Sequence, residues 1–134
     1  MLMSERSGAG TVRELDRVIA DLRALSEDIA SCAVLSEDGD LISSSHGPGA
    51  DRERVGAILA ALVNLAERVA RESGKGHISQ LRIDTGAGHL LLVRLDGGAL
   101  VATTGPEARV GLVLYDMRNS RGEVEKALAE GSDQ

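Results

Sequence analysis

The side chains able to do chemistry in this sequence are few and scattered. Three histidines, His46, His77 and His89, fall in a loop, on an expected strand and at a turn boundary. No two of them share a helical or metal-ligand spacing, so they predict no metal centre. Glu37-Asp38-Gly39-Asp40 is acidic, but a calcium loop needs oxygens at alternate positions and a distal Glu, which Leu41 to His46 do not supply. That run reads as a hairpin turn. Gly74-Lys75-Gly76 lacks the spaced glycines, and the Ser or Thr after Lys, of a phosphate-binding loop. Ser43, Ser44 and Ser45 have no Asp/His partner recognisable by motif. Cys32 is the only cysteine, so an internal disulfide or a multi-cysteine zinc site is excluded. Its apolar neighbours predict a small buried thiol and offer no cation that would activate it. No catalytic residue, metal or cofactor is expected.

Composition narrows the partners. The 134 residues are enough for one domain with a sizeable core, and 43% hydrophobic with 27% charged residues is ordinary for a globular protein. The aromatic content is not ordinary, since Phe and Trp are absent and Tyr115 stands alone. The core must therefore be aliphatic. Base stacking needs aromatic rings and phosphate binding needs a basic surface, whereas the net charge here is −6. Nucleic acid is not an expected partner. The opening MLMSERSGAG lacks the apolar segment of a signal peptide, and no run reaches membrane-spanning length. No membrane insertion and a cytoplasmic location are expected.

Among the elements that must position any functional surface, the longest is a helix expected over residues 51–74, DRERVGAILAALVNLAERVARESG. Asp51 offers an N-cap oxygen and Glu53 an acid in the first turn. Val55, Leu59, Leu62, Ala66, Val69 and Ala70 recur at three- and four-residue steps. The arc from Leu65 and Ile58 round to Val63 is apolar over roughly 160°, wider than one sheet contact requires. Ala57, Ala61, Asn64 and Arg68 share the opposite side, where small side chains let another backbone approach. The helix is thus expected to cover a core and to meet a partner elsewhere. The plainer alternative is that alanines are simply good helix formers.

Around this helix the chain divides in order. Residues 1–10 read as a disordered lead, and Thr11 with Glu14 has capping-box spacing for a helix reaching about Ser26. Leu15, Val18, Ile19, Leu22 and Leu25 form its stripe. Residues 29–36 read as a buried strand, Asp38-Gly39 as a two-residue hairpin signal, and residues 41–45 as the return strand. Gly74 is a plausible C-cap. Residues 77–84 form a half-polar strand with Ser79, Leu81 and Ile83 on one face. Residues 89–95 and 99–104 follow, joined by Asp96-Gly97-Gly98. Gly105-Pro106-Glu107 opens a last helix, with Pro at its first position. The domain is expected to span residues 11–121. Residues 122–134 form a charged tail, helical over 123–129 and frayed over 131–134.

Strands that are apolar on both faces belong inside a sheet covered on both sides. That puts residues 29–36, 90–95 and 99–104 in the interior and the half-polar 41–45 and 77–84 at the edges. The expected fold is an α/β/α three-layer sandwich with a five-stranded antiparallel sheet of order 2-1-5-4-3. The long helix covers one face and the terminal helices the other.

SCAVLSEDGDLISSS, RVGAILAALVNLAERVARESGKG and QLRIDTGAGHLLLVRLDGGALVATTGPEARVGLVLYDMR, in that order, resemble the Roadblock/dynein light chain family over about residues 29–118. The fold is shared with profilin-like and longin-type domains, so fold alone does not fix function. The resemblance implies a homodimer in which the third strand pairs with its copy and the long helices lie together. Ile58, Leu62, Leu65, His77, Ser79, Leu81 and Ile83 would then form the interface. An edge strand without proline and with little charge supports this independently, because it is a liability unless something pairs with it. The resemblance further implies a non-enzymatic regulator or adaptor of small Ras-like GTPases, at most a GTPase-activating partner without its own active site. Such relatives also work in signalling complexes with a sensor-like protein. Ala57, Ala61, Asn64, Arg68 and Arg71 are the expected GTPase-docking residues, and Arg52 and Arg54 are the helix's other arginines. Two alternatives are a purely structural adaptor subunit and a small-molecule sensory domain of the PAS or GAF kind. The second needs a lined cavity with converging polar groups, which an aliphatic, alanine-rich core does not suggest.

Overall fold

The five strands form one antiparallel sheet in the order β2-β1-β5-β4-β3. They are β1 (Ile29–Ser36), β2 (Leu41–Ser44), β3 (Gln80–Thr85), β4 (Gly88–Leu95) and β5 (Gly98–Thr104). Three helices complete the chain: α1 (Leu2–Leu25), α2 (Arg52–Glu72) and α3 (Val110–Ser132). The coordinates are a computed structural model that describes residues 2–45 and 52–132, with only the backbone described for residues 2–9, 131 and 132. The Asp51 cap, the 46–49 loop and the end of the expected frayed tail lie outside the described residues.

Alternation along the central strands sends aliphatic side chains to both faces. Cys32, Val34, Leu91, Val93, Leu100 and Ala102 pack with Leu15, Val18, Ile19 and Leu22 of α1 and Val113, Leu114 and Met117 of α3. Leu35, Leu92, Ala99 and Val101 pack beneath Leu59 and Val63 of α2. The three-layer sandwich and the strand order are those expected. Both cores are built without a single Phe or Trp.

The turns explain the register. At the β1–β2 hairpin Gly39 N donates to Ser36 O at 3.1 Å, Ser36 N donates to Asp40 O at 2.8 Å, and Gly39 has φ +91°. This is a three-residue loop ending on a left-handed glycine, one residue longer than the Asp38-Gly39 signal implied. Between β4 and β5, Leu95 faces Gly98 across the two-residue loop Asp96-Gly97. α2 ends at Glu72 and Gly74 caps it as expected: Gly74 N donates to Arg71 O at 3.0 Å and Lys75 N to Ala70 O at 2.8 Å, the paired bonds of a Schellman cap.

Four boundaries differ from the sequence expectation. α1 starts at Leu2, so Thr11 lies inside the helix and Glu14 pairs with Arg17 instead of closing a capping box. The helix therefore carries Gly8 and Gly10 in its interior, each costing about 1 kcal/mol relative to alanine. β3 starts at Gln80, leaving His77 outside the sheet. α3 starts at Val110, not at Pro106, because the Asp28 carboxylate accepts Arg109 N at 2.9 Å and caps the helix from outside. α3 then runs on through the expected tail, and Val124, Ala127 and Leu128 are buried against the first core.

Candidate functional site

The candidate site is α2, and its geometry follows from how it is rolled on the sheet. A Cβ added to Gly56 would lie 2.3 Å from Gly39 O, so only glycine admits the β1–β2 turn this close. With Gly56, Leu59 and Val63 buried downwards, a step of about 100° per residue sends the remaining positions to two opposite flanks and a top. Asn64, Glu67, Arg68 and Arg71 look towards the β1 end of the sheet, where they meet Leu35, Ser36 and Glu37. Val55, Ile58, Leu62, Leu65 and Val69 therefore lie on the opposite flank of the helix. All of these but the half-buried Leu62 are exposed. They repeat in steps of three and four, the spacing of a helix–helix seam.

β3 is one free edge of the sheet. Ser79 O accepts Arg94 N at 2.9 Å and Gln80 faces Val93, so alternation points the backbone groups of Gln80, Arg82 and Asp84 away from β4. Leu81 is half-buried on the α2 face of β3, and Ile83 is more exposed beside it. Of the seven residues expected at a dimer contact, Ile58, Leu62 and Leu65 lie on one flank of α2, and Leu81 and Ile83 lie on the α2 face of β3. Ser79 sits one residue ahead of β3. His77 does not belong with them. Glu67 reaches down from α2 to accept Ile78 N at 2.6 Å and to face His77 Nδ1 at 3.2 Å, which pins this link to the helix. The Ile78 bond, supported by His77 and Arg94, holds the Glu67 carboxyl below its ordinary pKa.

On the other flank an open cleft of about 460 Å³ separates α2 from the ends of β1, β4 and β5. Asn64, Arg68 and Arg71, three of the five residues expected to dock a partner, line it together with Arg94. Ala57 and Ala61 are exposed on α2 outside the cleft. Arg94 was not anticipated from sequence. Its signal was present, since the period-two run Leu90, Leu92, Arg94 puts it on the α2 face of β4. Arg52 is held against β2, where its Nε and Nη2 donate to Leu41 O at 3.1 and 2.8 Å.

The remaining polar groups serve the fold. At the β3–β4 hairpin Arg82 Nε and His89 Nδ1 meet Asp84 Oδ1 at 2.8 and 2.6 Å, lowering the Asp84 pKa. Cys32 is buried, and desolvation pushes its thiol up to about 12, so it is an inert core side chain. The buried Ser43 hydroxyl donates to Asp16 of α1, and Ser31 bonds Thr103 across the sheet. Among the described residues no three His, Cys, Asp or Glu side chains are grouped as a metal site. Among the described residues no helix is long and apolar enough to cross a membrane.

Comparison with known proteins agrees with this architecture. The MglB protein of Myxococcus xanthus superposes with a TM-score of 0.80 at 16% identity, over 90% of this chain and 91% of that one. A Roadblock/LC7 domain from Streptomyces avermitilis is 32% identical, with a TM-score of 0.63 over 81% of this chain and 96% of the other. Two uncharacterized proteins of Methanocaldococcus jannaschii are each 32% identical over 110 residues, 82% of this chain and 96% of their own length. The family model of the Roadblock/LC7 domain matches residues 15–104, from the middle of α1 to the end of β5. The chain belongs to the Roadblock/LC7 family.

Proposed function

We propose that this chain is a homodimeric, non-enzymatic regulator that docks a small Ras-like GTPase and modulates its nucleotide cycle or its placement in a signalling complex. The observation that carries the reading is the division of α2 into two unlike flanks. One is an exposed aliphatic stripe, which, with the open β3 edge, suits a second copy of the chain. The other is polar and arginine-bearing, which suits a different partner. Membership of the Roadblock/LC7 family supports a small GTPase as that partner. Pairing β3 with its copy satisfies the outward groups of Gln80, Arg82 and Asp84 and brings two α2 stripes together over a continuous sheet. The tops of the two helices, with Ala57, Ala61 and Arg68, then form a platform.

On this platform the dimer acts by holding the GTPase's own switch loops in one arrangement. No arginine is assigned as a catalytic finger. The test is binding of a purified Ras-like GTPase, loaded with GDP or a GTP analogue, to the wild-type chain and to Arg68→Glu/Arg71→Glu. Weaker binding by the double variant is expected. Unchanged binding in that variant and in Arg54→Glu refutes docking on this face.

A further inference from the structure

We infer that the cleft between α2 and the ends of β1, β4 and β5 receives one carboxylate side chain of a protein partner, held between Arg94 and Arg71. It rests on the proposed function only for the source of that carboxylate, a loop of the docked GTPase. Arg94 forms the floor. Its Nη1 donates to Gly98 O at 3.0 Å, which fixes the plane of the guanidinium, while its Nη2 stands 3.8 Å from Glu67 Oε2. Glu67 offsets part of that charge while also accepting Ile78 N and facing His77. A guanidinium has five donors, and most of those on Arg94 remain for a ligand. Arg71 lines the same cleft and makes no ion pair or side-chain hydrogen bond among the described residues. Arg68 is drawn aside to Glu72 at 3.4 Å.

Charge decides which anion fits. The lining holds three arginines, of which Arg68 is paired with Glu72 and Arg94 with Glu67, so Arg71 is the one arginine without an acidic partner among the described residues. That matches a single carboxylate better than a doubly charged phosphate. Leu35, Ala60 and Val63 form apolar walls that lower the local dielectric and strengthen a charged contact. The acid's flanking residues should accordingly be aliphatic. Elsewhere the chain repels a carboxylate, since its net charge is −6. The cleft lies on the flank of α2 opposite the aliphatic stripe, so self-association leaves one open cleft on each protomer.

The test is an NMR titration of the full-length chain, following the arginine Nε–Hε signals and the Asn64 and Gly98 amides. The probes are acetyl-Leu-Glu-Leu-amide, its glutamine counterpart and inorganic phosphate. Saturable shifts at Arg71, Arg94 and Gly98 are expected with the glutamate peptide alone. Arg71→Ala and Arg94→Lys should each weaken that binding about five-fold or more, the lysine because it keeps the charge and loses the planar fork. Arg71 is exposed, so its variant tests the site even if Arg94→Lys folds poorly. Equal shifts with the glutamine peptide, binding of phosphate as tight as the carboxylate, or no saturable shift would each overturn the inference. No GTPase enters this titration, so failure of GTPase docking and failure of the carboxylate site are read separately.

Discussion

Replacing Leu65 with glutamate should convert a dimer to a folded monomer. In the isolated protomer Val55, Ile58, Leu65 and Val69 are 43%, 59%, 62% and 64% exposed. Full burial of such a side chain yields roughly 1.5–3 kcal/mol, so covering the exposed parts in both copies yields about 7–14 kcal/mol. Association costs an estimated 4–15 kcal/mol, which leaves the stripe near balance and makes the pairing of β3 edges decisive. Leu65→Glu removes about 1–2 kcal/mol per copy and adds a carboxylate that must be desolvated. A combined loss of about 4 kcal/mol or more raises the dimer dissociation constant about a thousand-fold. The protomer itself should change by only about 0.5 kcal/mol, because the site is exposed. Sedimentation equilibrium across a dilution series reads the association, and circular dichroism the fold. Leu112→Glu, on α3 in the opposite layer, is the control that should leave association unchanged. A Leu65→Glu chain that associates like wild type, or a wild-type chain that is monomeric throughout, refutes the reasoning.

Other perturbations test separate parts of the structure. Arg82→Pro removes an outward-pointing N–H, so it should abolish self-association in light scattering while sparing the ladder with β4; proline at Ser79 or Leu81 would strike the internal ladder instead. Gly56→Ala forces a Cβ against Gly39 O and should lower stability by about 1–3 kcal/mol in urea unfolding, and an unchanged midpoint would mean that α2 is not seated on the turn. Truncation after Arg121 removes the buried Val124, Ala127 and Leu128 and should cost about 3–6 kcal/mol, seen as a large drop in Tm; a dispensable tail would leave Tm unchanged. Glu67 titrates below its reference value of 4.5, so its contribution is complete above that pH and lost as pH falls through the folded value. The Tm difference between wild type and Glu67→Gln should therefore be constant near neutrality and shrink in acid, and a pH-independent difference would contradict the Ile78 bond.

The sheet was legible because its evidence is local. Strands apolar on both faces had to be central, half-polar ones had to be edges, and Gly39, Gly74 and Gly97 punctuated the chain where backbone geometry requires them. What escaped the sequence reading depends on contacts between distant segments. Asp28 caps α3 from another element, Glu67 pulls His77 out of the sheet, and Arg94 joins the α2 arginines only once β4 lies beside them. The apolar arc of α2 shows the limit most clearly. Leu59 and Val63 are core, whereas Ile58 and Leu65 are exposed, yet all four belong to one continuous arc with the same three- and four-residue steps. Periodicity says how wide an apolar face is and not which neighbour covers which part of it. The roll of the helix decides that, and the clue was Gly56. A glycine inside a helix costs about 1 kcal/mol relative to alanine, so its presence marks a side where another backbone must come close. With that side placed against the β1–β2 turn, the arginine flank lines the cleft and the stripe from Val55 to Val69 is left on the opposite flank.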